Sequence, residues 1–128
     1  MTKQEWIEAE KLVTLYSALL LDCDGFRLSI SETRSKNKIE VIVYVNGFLK
    51  GEWISNDCEE RRRFYQKKKK QMHSQKKIKQ WKRLFGKTLE QYAYYYLPFW
   101  TSFKAFKAHL INNNKEIIWL NKPEEVKQ

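Results

Sequence analysis

The sequence predicts an α+β fold: a single domain in which a small antiparallel sheet (a meander with an Asn-Gly hairpin) packs with N-terminal and C-terminal helices and a basic helical segment. Three observations predict it. Residues 26–30 and 39–45 alternate or cluster β-favouring apolar residues, and the second run leads directly into Asn46-Gly47. Apolar residues at the helical period flank these runs, over residues 4–20 and from Phe103 to Ile111. The chain has 128 residues, of which 42% are hydrophobic and 15% aromatic, enough apolar surface for one core and too little length for two.

The elements are read in order. Residues 4–20 are expected as a first helix, with Trp6, Leu12, Val13, Tyr16, Leu19 and Leu20 on its apolar stripe. Glu5, Glu8, Glu10 and Lys11 lie opposite, and the early glutamates suit the positive end of the helix dipole. Asp22-Cys23-Asp24-Gly25 reads as a turn. Phe26, Leu28 and Ile30 then alternate with Arg27 and Ser29 as a half-buried strand, and a polar loop follows over residues 31–38. Asn-Gly supplies the two positive φ angles of a type I′ turn, so residues 48–54 are expected to pair back on residues 39–45. Tyr44 would face Leu49, and Glu40 would face Trp53. Both faces of that hairpin are mixed; the face with Ile42, Tyr44, Leu49 and Trp53 has the fewer charges.

Asn56 or Asp57, with Glu59 or Glu60 three positions on, offers a capping box for a basic helix. Phe64, Tyr65 and Met72 are its only apolar residues before Ile78, so a break is expected near Met72-His73-Ser74; the alternative is one helix through residues 57–85. Ser74 caps the second piece, in which Ile78, Trp81, Leu84 and Phe85 keep helical spacing until Gly86. Thr88-Leu89-Glu90-Gln91 suggests another turn of helix. Pro98 keeps helix out of the aromatic run that follows, in which Phe99 and Trp100 are assigned to the core and one or two tyrosines to the surface. Thr101 or Ser102 caps a last helix bearing Phe103, Phe106, Leu110 and Ile111, ended through a left-handed residue among Asn112, Asn113 and Asn114. Residues 116–120 are a final strand. The domain thus spans residues 1–120, and residues 121–128 form a loose polar tail.

Charge is the most informative quantity. The chain has 25 Lys+Arg against 15 Asp+Glu, and residues 61–87 hold 13 of the basic residues with no acid between Glu60 and Glu90. Such a block repels itself and needs anions nearby. Arg61, Arg62, Arg63, Lys67, Lys68, Lys69, Lys70, Lys76, Lys77, Lys79, Lys82 and Arg83 are therefore the candidate nucleic-acid-binding residues, drawing affinity from counterion release. Tyr92, Tyr94, Tyr95 and Tyr96 are the candidate stacking residues, because every base offers a π-face to an aromatic ring. Partners implied are RNA or DNA, a nucleoprotein complex, or an acidic protein surface.

Other chemistry is thin. The apolar run over residues 12–21 is too short to span a bilayer, residues 1–10 lack the apolar stretch of a signal peptide, and a cytoplasmic protein with no membrane partner is expected. Cys23 and Cys58 are then free thiols. His73 sits among lysines, His109 reads as a boundary residue of the last helix, and neither forms a recognisable pair with Cys58. Asp22 and Asp24 read as turn residues rather than cation ligands. No glycine-rich phosphate loop or metal-ligand spacing occurs, so no cofactor and no enzyme is expected.

The segment Val43-Tyr44-Val45-Asn46-Gly47, continuing through Gly51-Glu52-Trp53-Ile54 to Glu59-Glu60-Arg61-Arg62-Arg63-Phe64-Tyr65, resembles small uncharacterised basic proteins of tailed phages and prophages. The likeness extends over residues 26–112. It implies no catalytic residues. It implies a non-enzymatic protein that acts by binding host machinery, the sharper version being a host-defence antagonist of the anti-CRISPR type. Many such antagonists are acidic DNA mimics; this chain departs from them in charge, which directs it to nucleic acid or to an acidic surface. The alternative function is a protein–protein adaptor, with an aromatic patch over residues 92–100 as anchor and the lysines only steering.

Overall fold

The computed structural model describes residues 1–123. Its centre is a five-stranded antiparallel sheet of β1 (Leu19–Cys23), β2 (Phe26–Ser35), β3 (Lys38–Val45), β6 (Phe99–Trp100) and β7 (Ile117–Trp119), in the spatial order β6-β3-β2-β1-β7. Strand alternation sends Leu19, Leu21 and Cys23 from β1, Leu28 and Ile30 from β2 and Val41, Val43 and Val45 from β3 into the core. Register aligns them in cross-strand rows, Leu19 with Ile30 and Ile30 with Val43, Leu21 with Leu28 and Leu28 with Val45. The helices α1 (Lys3–Glu10), α3 (Glu59–Phe64) and α5 (Phe103–Asn113) close the core with Trp6, Ala9, Phe64, Phe103, Phe106 and Leu110. The helices meet the valine face of β3, not the Ile42 and Tyr44 face that carries fewer charges in the expected hairpin. The sequence leaves the choice of face open, because the charge count rests on a strand over residues 48–54 that does not form.

Several expected elements are shortened or replaced. The first helix stops at Glu10. Its start is a capping box, in which Thr2 accepts from the Glu5 N–H and the Glu5 carboxylate accepts from the Thr2 N–H. Thr14 Oγ1 then accepts from the N–H groups of Tyr16 and Ser17, and Ser17 donates to the Leu12 carbonyl. These side chains offer the backbone a turn in place of further helix. Tyr16, expected on the buried stripe, is 97% exposed. Leu19 begins β1, which reverses at Asp24-Gly25, both at positive φ (52° and 94°).

Residues 31–35, expected as loop, extend β2, and β3 pairs with β2 along its whole length. Asn46 and Gly47 do adopt positive φ (52° and 83°), and Val45 and Phe48 exchange both backbone hydrogen bonds. The hairpin ends there. The edge of β3 that residues 48–54 would occupy is taken by β6, with Val41 opposite Trp100 and Ile42 opposite Phe99. The displaced segment turns into the short helix α2 (Gly51–Ser55), and Trp53 packs edge-on against Tyr65 at 6.0 Å.

The expected basic helix is three elements. After α3 the chain forms a strand, β4 (Gln66–Gln71), which pairs with β5 (Tyr92–Leu97) in a separate two-stranded ribbon. Between them α4 (Gln75–Phe85) begins at the expected break, with Ser74 accepting from the Lys77 N–H and Gly86 left-handed at φ 67°. Cys58 rather than Asn56 or Asp57 stands at the start of α3, without a side-chain cap. Residues 88–91 form no helix.

At the end of the fold, Ser102 caps α5 as expected, but Asn114 ends it at φ −133°, not left-handed. Asn121, expected in the loose tail, is tied in. It accepts from the Leu20 N–H at 2.9 Å and Trp119 Nε1 at 3.0 Å, and donates to the Ala18 carbonyl at 2.9 Å. Lys122 of the same segment pairs with Glu5 at 3.3 Å, and residues 124–128 lie outside the described residues. No helix among the described residues is long and apolar enough to cross a membrane.

Candidate nucleic-acid interface

Residues 66–97, the strand–helix–strand excursion of β4, α4 and β5, contain ten basic residues and one acid, Glu90, and so hold nine of the ten net positive charges. None of these ten forms an ion pair among the described residues. The ribbon is anchored at both ends. Tyr65, fully buried, precedes β4; buried Pro98 and Trp100 follow β5, with the Trp100 Nε1–H donating to the Phe64 carbonyl at 2.9 Å.

Register sets the chemistry of each ribbon face. Lys67 lies opposite Tyr96, Lys69 opposite Tyr94 and Gln71 opposite Tyr92, so these six share one face, while Lys68 opposite Tyr95 and Lys70 opposite Ala93 share the other. On the first face the cations step diagonally onto the rings. Arg61 of α3 lies over Tyr96 at 3.7 Å, Lys67 over Tyr94 at 4.4 Å and Lys69 over Tyr92 at 4.6 Å. Cation–π attraction favours each head group over its ring. This explains why a lysine run forms a strand: its partner is a tyrosine strand at matching register. Tyr94, 58% exposed, is the most open ring of the ladder, whereas Tyr96 packs partly against the core. Of the four candidate stacking residues, Tyr95 alone points to the opposite face.

Beyond the ribbon, Lys76, Lys79, Gln80 and Arg83 recur at helical spacing on one side of α4 and line a surface hollow of about 270 Å³. Lys77 and Lys82 lie elsewhere on the same helix.

The three arginines take different parts. Arg61 belongs to the ladder. Arg62 is exposed and pairs with Asp57 at 3.5 Å. Arg63 is drawn inward: its guanidinium meets Asp24 at 2.9 Å, Asn114 at 3.0 Å and Glu59 at 2.8 Å. Asp24 is the hub of that cluster. The N–H groups of Lys115 and Glu116 donate to it at 2.8 Å each, and these bonds, with Arg63, hold its carboxyl below the usual range. Asp24 therefore fastens the β1–β2 turn to α3 and to the start of β7. Sequence reasoning read it as a turn residue only, because the cation that closes the cluster lies on another element.

The remaining candidate groups are dispersed. Burial pushes the Cys23 thiol up to about 12, helped by Asp22 and Asp24, so it stays protonated. His109 packs tilted against Trp100 at 5.0 Å with Nε2 2.8 Å from the Arg62 carbonyl, and burial lowers its pKa. The neutral ring thus donates Nε2–H to that carbonyl. Among the described residues no group of three His, Cys, Asp or Glu side chains is placed to hold a metal ion. No protein-family model, no curated protein and no solved structure matches this chain.

Proposed function

We propose that this protein is a non-enzymatic binding protein that engages nucleic acid through the β4–α4–β5 excursion, single strands in preference to duplex. The observation that carries the reading is the ladder of Arg61, Lys67 and Lys69 over Tyr96, Tyr94 and Tyr92. It interleaves cations, which neutralise phosphates, with aromatic planes, which accept bases of any identity. Lys76, Lys79 and Arg83 on α4 extend the positive surface. The ladder offers ring planes and charges that suit any base and any phosphate, so weak sequence preference is expected. The resemblance to small phage proteins carries the proposal one step further, to a nucleoprotein complex of a host defence system, such as a CRISPR effector, as the physiological partner. An adaptor anchored by residues 92–100 has less to offer a partner, because Trp100 is buried in the main sheet.

Fluorescence anisotropy with labelled single-stranded DNA, single-stranded RNA and duplex tests the proposal. With about four to six phosphate contacts, log affinity should fall against log salt with a slope of roughly −3 to −5. Tyr94→Ala should weaken single-strand binding several-fold and leave duplex binding nearly unchanged. Absence of binding to all three probes at low salt would refute the proposal.

A further inference from the structure

The helix α4 has an apolar side that the described residues leave largely open, with Ile78 half-buried. Ile78, Trp81, Leu84 and Phe85 fall on one side at helical spacing, and no residue of the helix is buried. Trp81 is 37% exposed, Phe85 59% and Leu84 66%, although the Trp81 and Phe85 rings pack against each other, tilted, at 4.4 Å. Lys76, Lys79 and Arg83 occupy the opposite side, while Lys82 borders the apolar one and Lys77 falls within its arc between Trp81 and Leu84, where a long stem can carry its charge out to the headgroups. Eleven residues make a helix that is marginal in water without tertiary packing, and α4 packs broadly against no other element.

Charge and area narrow what covers it. A second copy would bring together two excursions that each carry nine net positive charges, with no acid on either helix to offset them. Four side chains per helix also fall well short of the roughly 800 Å² per partner of a stable interface. A nucleic acid supplies negative charge but no apolar depth. An anionic lipid surface supplies both, and it accepts a lone convex helix without a shape-matched groove. Tryptophan, phenylalanine and leucine on one side with lysine and arginine on the other is the composition of helices that lie in a membrane interface. We propose that α4 is such an interfacial helix, docking the protein on an anionic bilayer surface through Ile78, Trp81, Leu84 and Phe85, with Lys77 and Lys82 at the headgroups.

The test uses the full chain in co-sedimentation with vesicles of phosphatidylcholine, alone or with about one-third phosphatidylglycerol. Binding is expected only to the anionic vesicles. The double variant Trp81→Ser, Phe85→Ser should reduce it about a hundredfold, since each large side chain withdrawn from water contributes about tenfold. Its circular dichroism melt should match the parent, because neither residue belongs to the core. Quenching of tryptophan fluorescence by brominated lipid should be lost in Trp81→Phe. Equal binding by parent and double variant would reduce the effect to surface adsorption of charge and overturn the proposal. So would failure of the parent to bind anionic vesicles, which would leave a protein groove to cover the helix. A concentration-dependent dimer abolished by the double variant would assign the face to a second copy instead. Oligonucleotide affinity of the double variant should stay at the parent level, which separates this proposal from the nucleic-acid one.

Discussion

If a single strand tracks the tyrosine face of the ribbon, its two faces must differ in salt dependence. Lys67 and Lys69 lie on that face and Lys68 and Lys70 on the other, so two double variants with the same loss of charge can be compared. Each phosphate neutralised on a single strand contributes about −0.7 to the slope of log affinity against log salt. Lys67→Gln with Lys69→Gln should therefore flatten the slope by about 1.4, and Lys68→Gln with Lys70→Gln by less than half that. The first pair also removes two cation–π contacts, worth about 0.5 kcal/mol each at an exposed site. That cost falls on the ribbon and should leave the urea unfolding of the core unchanged, because the core cluster holds none of the four lysines. The assay is anisotropy with a labelled oligonucleotide across a salt series for the parent and both variants. Equal flattening by the two pairs would mean that the excursion acts as a diffuse cloud of charge, and the ladder would lose its part in the argument.

Three further predictions concern the fold. Trp100→Phe keeps most of the apolar volume but leaves the buried Phe64 carbonyl without its donor, and should cost about 1–3 kcal/mol by urea titration. Asp24 titrates below its ordinary range in the folded state, so the unfolded chain binds its proton more readily. Its contribution is present above about pH 4 and lost as pH falls through the lower folded value; Asp24→Asn should weaken the protein at neutral pH and flatten the acid limb of an unfolding curve. His109 is likewise depressed below 6.5, here by burial, so stability should decline as pH drops below that value, and His109→Gln should remove this part of the decline.

How far the sequence could be read depended on the range of the interaction involved. The turns at Asp24-Gly25 and Asn46-Gly47, the Ser74 cap, the Gly86 stop and the Ser102 cap were legible because each is set by a few adjacent residues. The strand over residues 66–71 was not, since a lysine run has no alternation of its own and becomes a strand only beside tyrosines beyond α4. Leu19-Leu20-Leu21 fits both periods; the choice was made by the Thr14 and Ser17 turn upstream and by pairing with β2. The charge block was legible and the ladder within it was not, because which lysine meets which ring depends on register between distant strands. The inward turn of Arg63 was hidden for the same reason.

The two parts of the molecule are finished to different degrees, and this follows from where the charge sits. Outside residues 66–97 basic and acidic residues nearly balance, and each face of the core that meets a helix is covered. A two-stranded ribbon is marginal alone, so β4 and β5 depend on Tyr65 and Trp100, their buried anchors, for position. Those anchors fix the ladder relative to the core while leaving Lys67, Lys69, Lys70, Tyr94 and Tyr95 exposed. α4 then extends between the strands with caps at both ends and no broad packing against another described element, so much of its apolar side and its charge face solvent. Substitutions in the excursion should accordingly change what the protein binds, and substitutions around Asp24, Trp100 and His109 should change whether it folds.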